Sequence, residues 1–237
     1  MKLKEFLSVR AIEFESINVL EDPAGLAELR RLGARSVPVL SRGDAFVFAQ
    51  NIGHVVKFLG LNEKTGPVLS PAQLIARLDR FMATAERLIP QMPDDRLAIE
   101  VPNRPRTYRV LGHHLFRIPE VFLNVAENGE TLTYESLTSP PPEAMQTTAA
   151  IAAYGQAVHG RLTSWWAAKA DKSGKDPVQT YYGPQILHEY LERTTWHCGQ
   201  HVRQWIMLLG MAGIDVGEPL GAKDFADLPM PSSVWDG

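Results

Sequence analysis

His197 and His201 are the residues in this chain whose type and spacing most directly suggest chemistry. They stand four apart in Trp196-His197-Cys198-Gly199-Gln200-His201, inside a long helical pattern. On a helix of about 3.6 residues per turn, such a pair projects from nearly one side, one ring above the other. A divalent ion could be held by both. The apolar stripe of the segment runs Leu187, Tyr190, Leu191, Thr194, then the histidines, then Trp205, Leu208 and Leu209, so the pair lies on the inward face. A third imidazole comes from Gly112-His113-His114-Leu115, in a segment whose stripe reads Val110, Leu111, Leu115, Ile118, Val121, Phe122 and Val125. His114 falls within that stripe, whereas His113 shares the opposite side with Arg117, Glu120 and Asn124. His114 is therefore the expected third ligand. Three inward histidines from two helices make an open site, with a position left for water or substrate. Imidazole suits zinc, nickel, copper or iron(II), and the donor set does not select among them.

The other candidates weigh less. His159 is the most credible extra ligand, while His54 and His188 fall away from the cluster. Cys198, the one cysteine, excludes an intramolecular disulfide and a two-cysteine redox motif. As a ligand it would point about 100° away from His197, so it reads as a small buried residue. Arg117, one turn beyond His114, is a candidate for a substrate carboxylate, and Glu120 and Glu189 are weak candidates for partners behind the ligands.

The chain of 237 residues is 45% hydrophobic, long enough for one large or two ordinary domains. Its net charge is −3 and its basic residues are interspersed with acidic ones, which argues against a nucleic-acid or membrane-surface partner. No apolar run approaches the ~20 residues of a membrane span, and the start lacks the apolar region of a signal peptide, so a cytoplasmic protein acting on a small molecule is expected.

The elements that must position these residues follow from periodicity and punctuation. Residues 4–10 read as a short helix, Ala11–Leu20 as a strand, Ala24–Leu32 as a helix opened by Asp22-Pro23, Ser36–Leu40 and Ala45–Ala49 as strands, and Gly53–Leu59 as a helix. Residues 61–70 have the composition of a linker. Beyond it, a helix from Pro71 to Ile89 carries Leu74, Ile75, Leu78, Phe81, Met82, Ala85 and Leu88 at helical spacing, capped by Ser70. Leu97–Val101 suggests a short strand. Helices follow over Tyr108–Asn128, with Pro119 predicting a kink, over Glu143–Ala170, and over Pro184–Met211. The fold class expected is α+β overall: a small α/β module (1–60), the linker (61–70), and an all-α four-helix bundle with an irregular tail (71–237).

Two resemblances attach to these residues. Ile12-Glu13-Phe14-Glu15-Ser16-Ile17-Asn18-Val19, the acidic helix start, Ser36-Val37-Pro38-Val39 and the hairpin after them resemble an incomplete glutaredoxin-like module of the thioredoxin fold. In that family a cis-proline lies against the active site and its neighbouring backbone receives glutathione, which carries over to Pro38 with Val37. The central strand and Cys-x-x-Cys turn are missing, so the resemblance implies thiol binding or docking and no disulfide reductase activity. Residues 70–215, with Gly112-His113-His114-Leu115-Phe116-Arg117 on the second helix and Trp196-His197-x-x-x-His201 on the fourth, resemble the DinB-like family. That family binds one divalent metal through three histidines, implying His114, His197 and His201, with zinc, nickel or iron(II) as the ion. Its relatives include thiol-dependent isomerases and S-transferases, which implies glutathione-like thiol chemistry on a small electrophile. Metal-dependent hydrolysis of a small molecule, or a non-catalytic, metal-stabilised homodimeric scaffold, are the alternatives.

Overall fold

A computed structural model describes residues 3–8, 10–63, 65–102, 104–231 and 233–235, apart from the side chain of Glu5. Its internal contacts divide the chain into two units, Met1–Gly66 and Pro67–Gly237.

In the first unit, Asp22 accepts a hydrogen bond from the Ala24 amide and Pro23 occupies the first turn, so helix α2 (Pro23–Arg31) starts where those residues predict; a shorter helix α1 (Leu3–Ser8) precedes it. Strands β1 (Val39–Arg42) and β2 (Ala45–Phe48) form an antiparallel hairpin, and α3 (Ile52–Leu59) follows, capped by Asn51 and ended by Gly60 in the left-handed conformation. Phe6, Leu7, Ala49, Val55 and Val56 make the core. The strand expected over Ala11–Leu20 is absent: that segment is irregular, with Phe14, Ile17 and Leu20 exposed. Alternating apolar residues make a strand only beside another strand, and among the described residues the sheet of this unit has two strands, β1 and β2, with Ala11–Leu20 paired to neither. β1 starts at Val39 rather than Ser36, after the cis Val37–Pro38 bond, because a proline has no amide hydrogen to give a ladder.

In the second unit, Ser70 and Gln73 form a reciprocal cap that starts α4 (Pro71–Leu88). Its buried residues are the stripe that periodicity predicts together with Thr84, and a 3₁₀ turn holding Pro90 ends it. Leu97–Val101 is not a strand; only Glu100 makes an isolated bridge, to Thr107. Thr107 caps α5 (Tyr108–Asn128), which runs unbroken through Pro119. A short helix α6 (Tyr134–Thr138) lies in the connection to α7 (Thr148–Ala168), which begins later than Glu143 because Thr147 caps it and Asp94 accepts from the Thr148 amide and hydroxyl. The residues expected to open the fourth bundle helix, from Pro184 to Ile186, instead belong to strand β4 (Gly183–Ile186), which pairs with β3 (Pro177–Thr180) in a hairpin before α8 (Leu187–Met211). Helix α9 (Ala222–Phe225) stacks Phe225 on Phe81 of α4, and Trp235 reaches Met207 of α8.

Helices α4, α5, α7 and α8 form the bundle: α4 and α5 each pack on both α7 and α8. Close approach of α8 to α4 depends on Gly199, where an added Cβ would stand 2.7 Å from the Phe81 ring. Helix α5 is buried on nearly every side, a consequence of its place between α7, α8 and α6. Among the described residues no helix is long and apolar enough to cross a membrane.

Candidate metal centre

Helix α5 carries His114 and helix α8 carries His197 and His201 one turn apart. Packing of α5 on α8 brings the three rings together, with centroid separations of 5.5 Å (His114–His197), 5.0 Å (His114–His201) and 4.8 Å (His197–His201). One nitrogen from each lies within 4.8 Å of the other two. Tetrahedral bonds of about 2.0–2.1 Å place ligand nitrogens about 3.3 Å apart, so small rotamer changes close the set on an ion.

The hydrogen bond behind His201 fixes which of its nitrogens faces the cluster. His201 Nδ1 lies 2.7 Å from Gln204 Oε1, an oxygen that can only accept, so Nδ1 carries the proton. His201 Nε2 then holds a lone pair, and it is buried without a hydrogen-bond partner. Metal-ligating imidazoles are commonly oriented from behind in this way. Burial, reinforced by the charge of Arg106, lowers the His114 pKa to about 3, against the Leu137 backbone, which acts in the opposite sense and raises it. Burial also holds His197 and His201 well below the ordinary value, helped by neighbouring histidines and Arg106. All three are neutral at pH 7, the form that binds a metal. An orphaned buried lone pair and three neutral imidazoles fit a divalent ion.

The cluster opens on a cavity of about 460 Å³ bounded by Arg104, Pro105 and Arg106, by Trp196, Gln200 and Gln204 of α8, and by Pro231 of the C-terminal tail. The tail is held to α8 by carbonyls: Gln200 Nε2 donates to Val234 O at 2.6 Å, Gln204 Nε2 to Val234 O at 3.1 Å, and Arg203 Nη1 to Pro231 O at 3.0 Å.

Other candidates lie elsewhere. Arg117 does not reach the cavity: its Nε donates to Ser136 O at 2.8 Å and its Nη1 to Glu120, so it ties α6 to α5. Glu120 is half-buried and also accepts from the Tyr154 hydroxyl at 2.6 Å, and Glu189 caps α8 through the Ile186 amide. His113 is not on an outer face; α7 covers that side of α5, and the ring is buried, stacked on Tyr154 at 5.1 Å, with its pKa lowered to about 4, chiefly by burial. His159 sits away from the cluster between Glu86 (2.7 Å) and Asp79 (2.8 Å), and His188 Nε2 bonds the Leu69 carbonyl. His54 belongs to α3. Cys198 is fully buried, its thiol directed at the Leu115 carbonyl 3.9 Å away, the carbonyl that Pro119 leaves without an amide donor. Burial pushes that thiol up, so it is neither ligand nor thiolate. Val37 and Pro38 lie in the first unit, Val37 exposed.

Two residues of the site escape sequence reasoning. Gln204 carried a signal: it follows His201 by three and His197 by seven, on the same helical face. Arg106 carried none, because it sits in the irregular stretch before the Thr107 cap, where no periodicity assigns a direction.

No family model and no curated protein matches the chain. Among solved structures, the chain is similar to YfiT from Bacillus subtilis, described as a probable metal-dependent hydrolase with an unusual four-helix bundle topology; the likeness has 18% identity, covers 65% of this chain and 96% of that one, and has a TM-score of 0.49.

Proposed function

We propose that the second unit is a metal-dependent enzyme of the DinB-like type, in which His114, His197 and His201 hold one divalent ion. The observation that carries this reading is the buried, unpartnered Nε2 of His201, set within bonding reach of two further neutral imidazoles at the floor of a cavity. When bound, such an ion supplies Lewis acidity and an open position, lowering the pKa of the water or thiol placed there. Gln204 holds His201 in the binding tautomer. Cys198 is not the nucleophile, since it is buried as a thiol.

Thiol-dependent transfer or isomerisation of a small electrophile, with a glutathione-like cosubstrate, is the first reading. Among the described residues the cavity lining contains no Asp or Glu to serve as a general base. A thiol, with an ordinary pKa of about 8.5, needs far less help to ionise than water does. Hydrolysis of a small molecule is the alternative. Docking of the thiol near Val37 and Pro38 and a homodimeric assembly are further parts of the proposal.

Elemental analysis of protein purified without added metal tests the central statement. About one equivalent of zinc, nickel or iron is expected, falling sharply in His114→Ala, His197→Ala and His201→Ala. Parent protein free of metal that also fails to take up added zinc overturns it. Turnover of a model electrophile with glutathione, against release of product with water alone, then separates the two reactions. Metal-dependent dimerisation without turnover favours a scaffold.

A further inference from the structure

Three neutral imidazoles leave the charge of a divalent ion uncompensated, and among the described residues no carboxylate lines the cavity above them. Guanidiniums add to the excess, Arg193 beside His197 and Arg106 beside the whole cluster. Arg106, on the segment that enters α5, lies against this cavity, and its charge acts on all three histidines. Its Nη2 donates to Gln204 Oε1 at 3.3 Å, while its Nε is buried without a partner. No ion pair to Arg106 exists among the described residues, although Arg10, Arg31, Arg117 and Arg161 each have one at 2.7 Å or less. A buried guanidinium donor without an acceptor is costly, and the cost is recovered when an anion fills it.

The remaining polar lining is already engaged. Gln200 and Gln204 bind the tail, and Arg104 has a partner of its own. Trp196, Pro105 and Pro231 offer apolar surface around the opening.

We infer that Arg106 is the receptor for a carboxylate on the substrate, which makes the substrate a small organic acid held between Arg106 and the open metal position. This rests on the metal reading above and names the substrate class for it. The planar guanidinium fork matches a planar carboxylate, and phosphate, which the same fork can also bind, is separated from it by the test below. The role replaces the one expected for Arg117, whose donors are spent on Ser136 and Glu120.

The test is calorimetric titration of zinc-loaded protein, its zinc content measured beforehand, with acetate, succinate and benzoate, with the matching neutral amides, and with inorganic phosphate. At least one carboxylate should bind and its amide should not. Arg106→Gln should weaken that binding by about tenfold or more with zinc content unchanged, as expected for a lost charge-assisted contact. Arg106→Lys, which keeps the charge and guards against a folding artefact, should weaken it less, and Arg117→Ala should leave it unchanged. Equal binding of acid and amide, full binding by Arg106→Gln, or preference for phosphate overturns the assignment. Wild type that carries zinc and ignores all three carboxylates removes this inference alone; wild type that holds no zinc removes the metal reading and this inference together.

Discussion

Replacing Gln204 by alanine isolates what the groups behind a ligand contribute. The side chain makes three contacts: its Oε1 accepts from His201 Nδ1 at 2.7 Å and from Arg106 Nη2 at 3.3 Å, and its Nε2 donates to Val234 O at 3.1 Å. Truncation leaves the His201 ring free to rotate and to take the other tautomer, which would present a proton toward the cluster instead of a lone pair. Loss of such a partner typically costs 10–100-fold in metal affinity, or about 1.4–2.7 kcal/mol. Gln204→Ala should therefore bind zinc about 10–100-fold more weakly than the parent. Gln204→Glu keeps an acceptor for Nδ1 and adds a negative charge beside Arg106, so it should retain most of the affinity while losing the bond to the tail. Competition against a chromophoric chelator at pH 7 measures both. Equal affinity for Gln204→Ala and the parent, with the melting curve unchanged, would refute the claim that Gln204 sets the ligand tautomer, as would a Gln204→Glu variant weaker than the alanine.

Gly199→Ala places a methyl group 2.7 Å from the Phe81 ring, and Phe81 is itself stacked on Phe225 at 5.3 Å. Overpacking of about 1–3 kcal/mol should outweigh the helix-propensity gain of about 1 kcal/mol, so the melting temperature should fall; a rise shows that α8 and α4 have room to spare. His159 titrates with a definite sign. Burial lowers its pKa, but hydrogen bonds to Asp79 and Glu86 outweigh burial and hold it above the ordinary value. Its stabilising contribution is therefore fully present below the unfolded pKa and is lost as pH rises through the folded one. Denaturation of His159→Gln should show a deficit on the order of 1 kcal/mol in acid that shrinks toward alkaline pH, and a deficit that grows with pH contradicts the assignment. Arg117→Ala should lower stability by about 1–3 kcal/mol, because it frees Ser136 O and leaves Glu120 with Tyr154 alone, while zinc content stays at the parent level. Loss of zinc on that substitution would place Arg117 in the site after all.

Much of the bundle was legible because α4 and α5 carry their own punctuation. Ser70 with Gln73, Thr107 with Gly129, and the stripe from Leu74 to Leu88 fix α4 and α5 without reference to anything distant. The histidine pair was legible for the same reason, since four residues on one helix is a local relation. His113 shows where that logic stops. A one-sided stripe assigns an outer face only to a helix with solvent on one side, and α5 has neighbours on nearly every side, so His113 is buried although it shares a side with Arg117, Glu120 and Asn124, and Phe116, Pro119 and Leu123, outside the stripe, are buried too. The hairpin of β3 and β4 escaped because its pairing depends on Thr180 meeting Leu132 and Gly183, contacts invisible to a helical window over Pro184–Met211. Ala11–Leu20 erred in the opposite direction: the alternation is present, but a strand is defined by its neighbour and that neighbour is missing. The same distinction governs the site. Ligands set by helical phase can be read from one segment, whereas Arg106 gains its place only when α5 and α8 close a cavity around it, and its unpartnered donor is a property of the packed structure. Residues that bind what the protein recognises are thus the least visible in sequence, because their meaning is an absence of partners that only the fold can create.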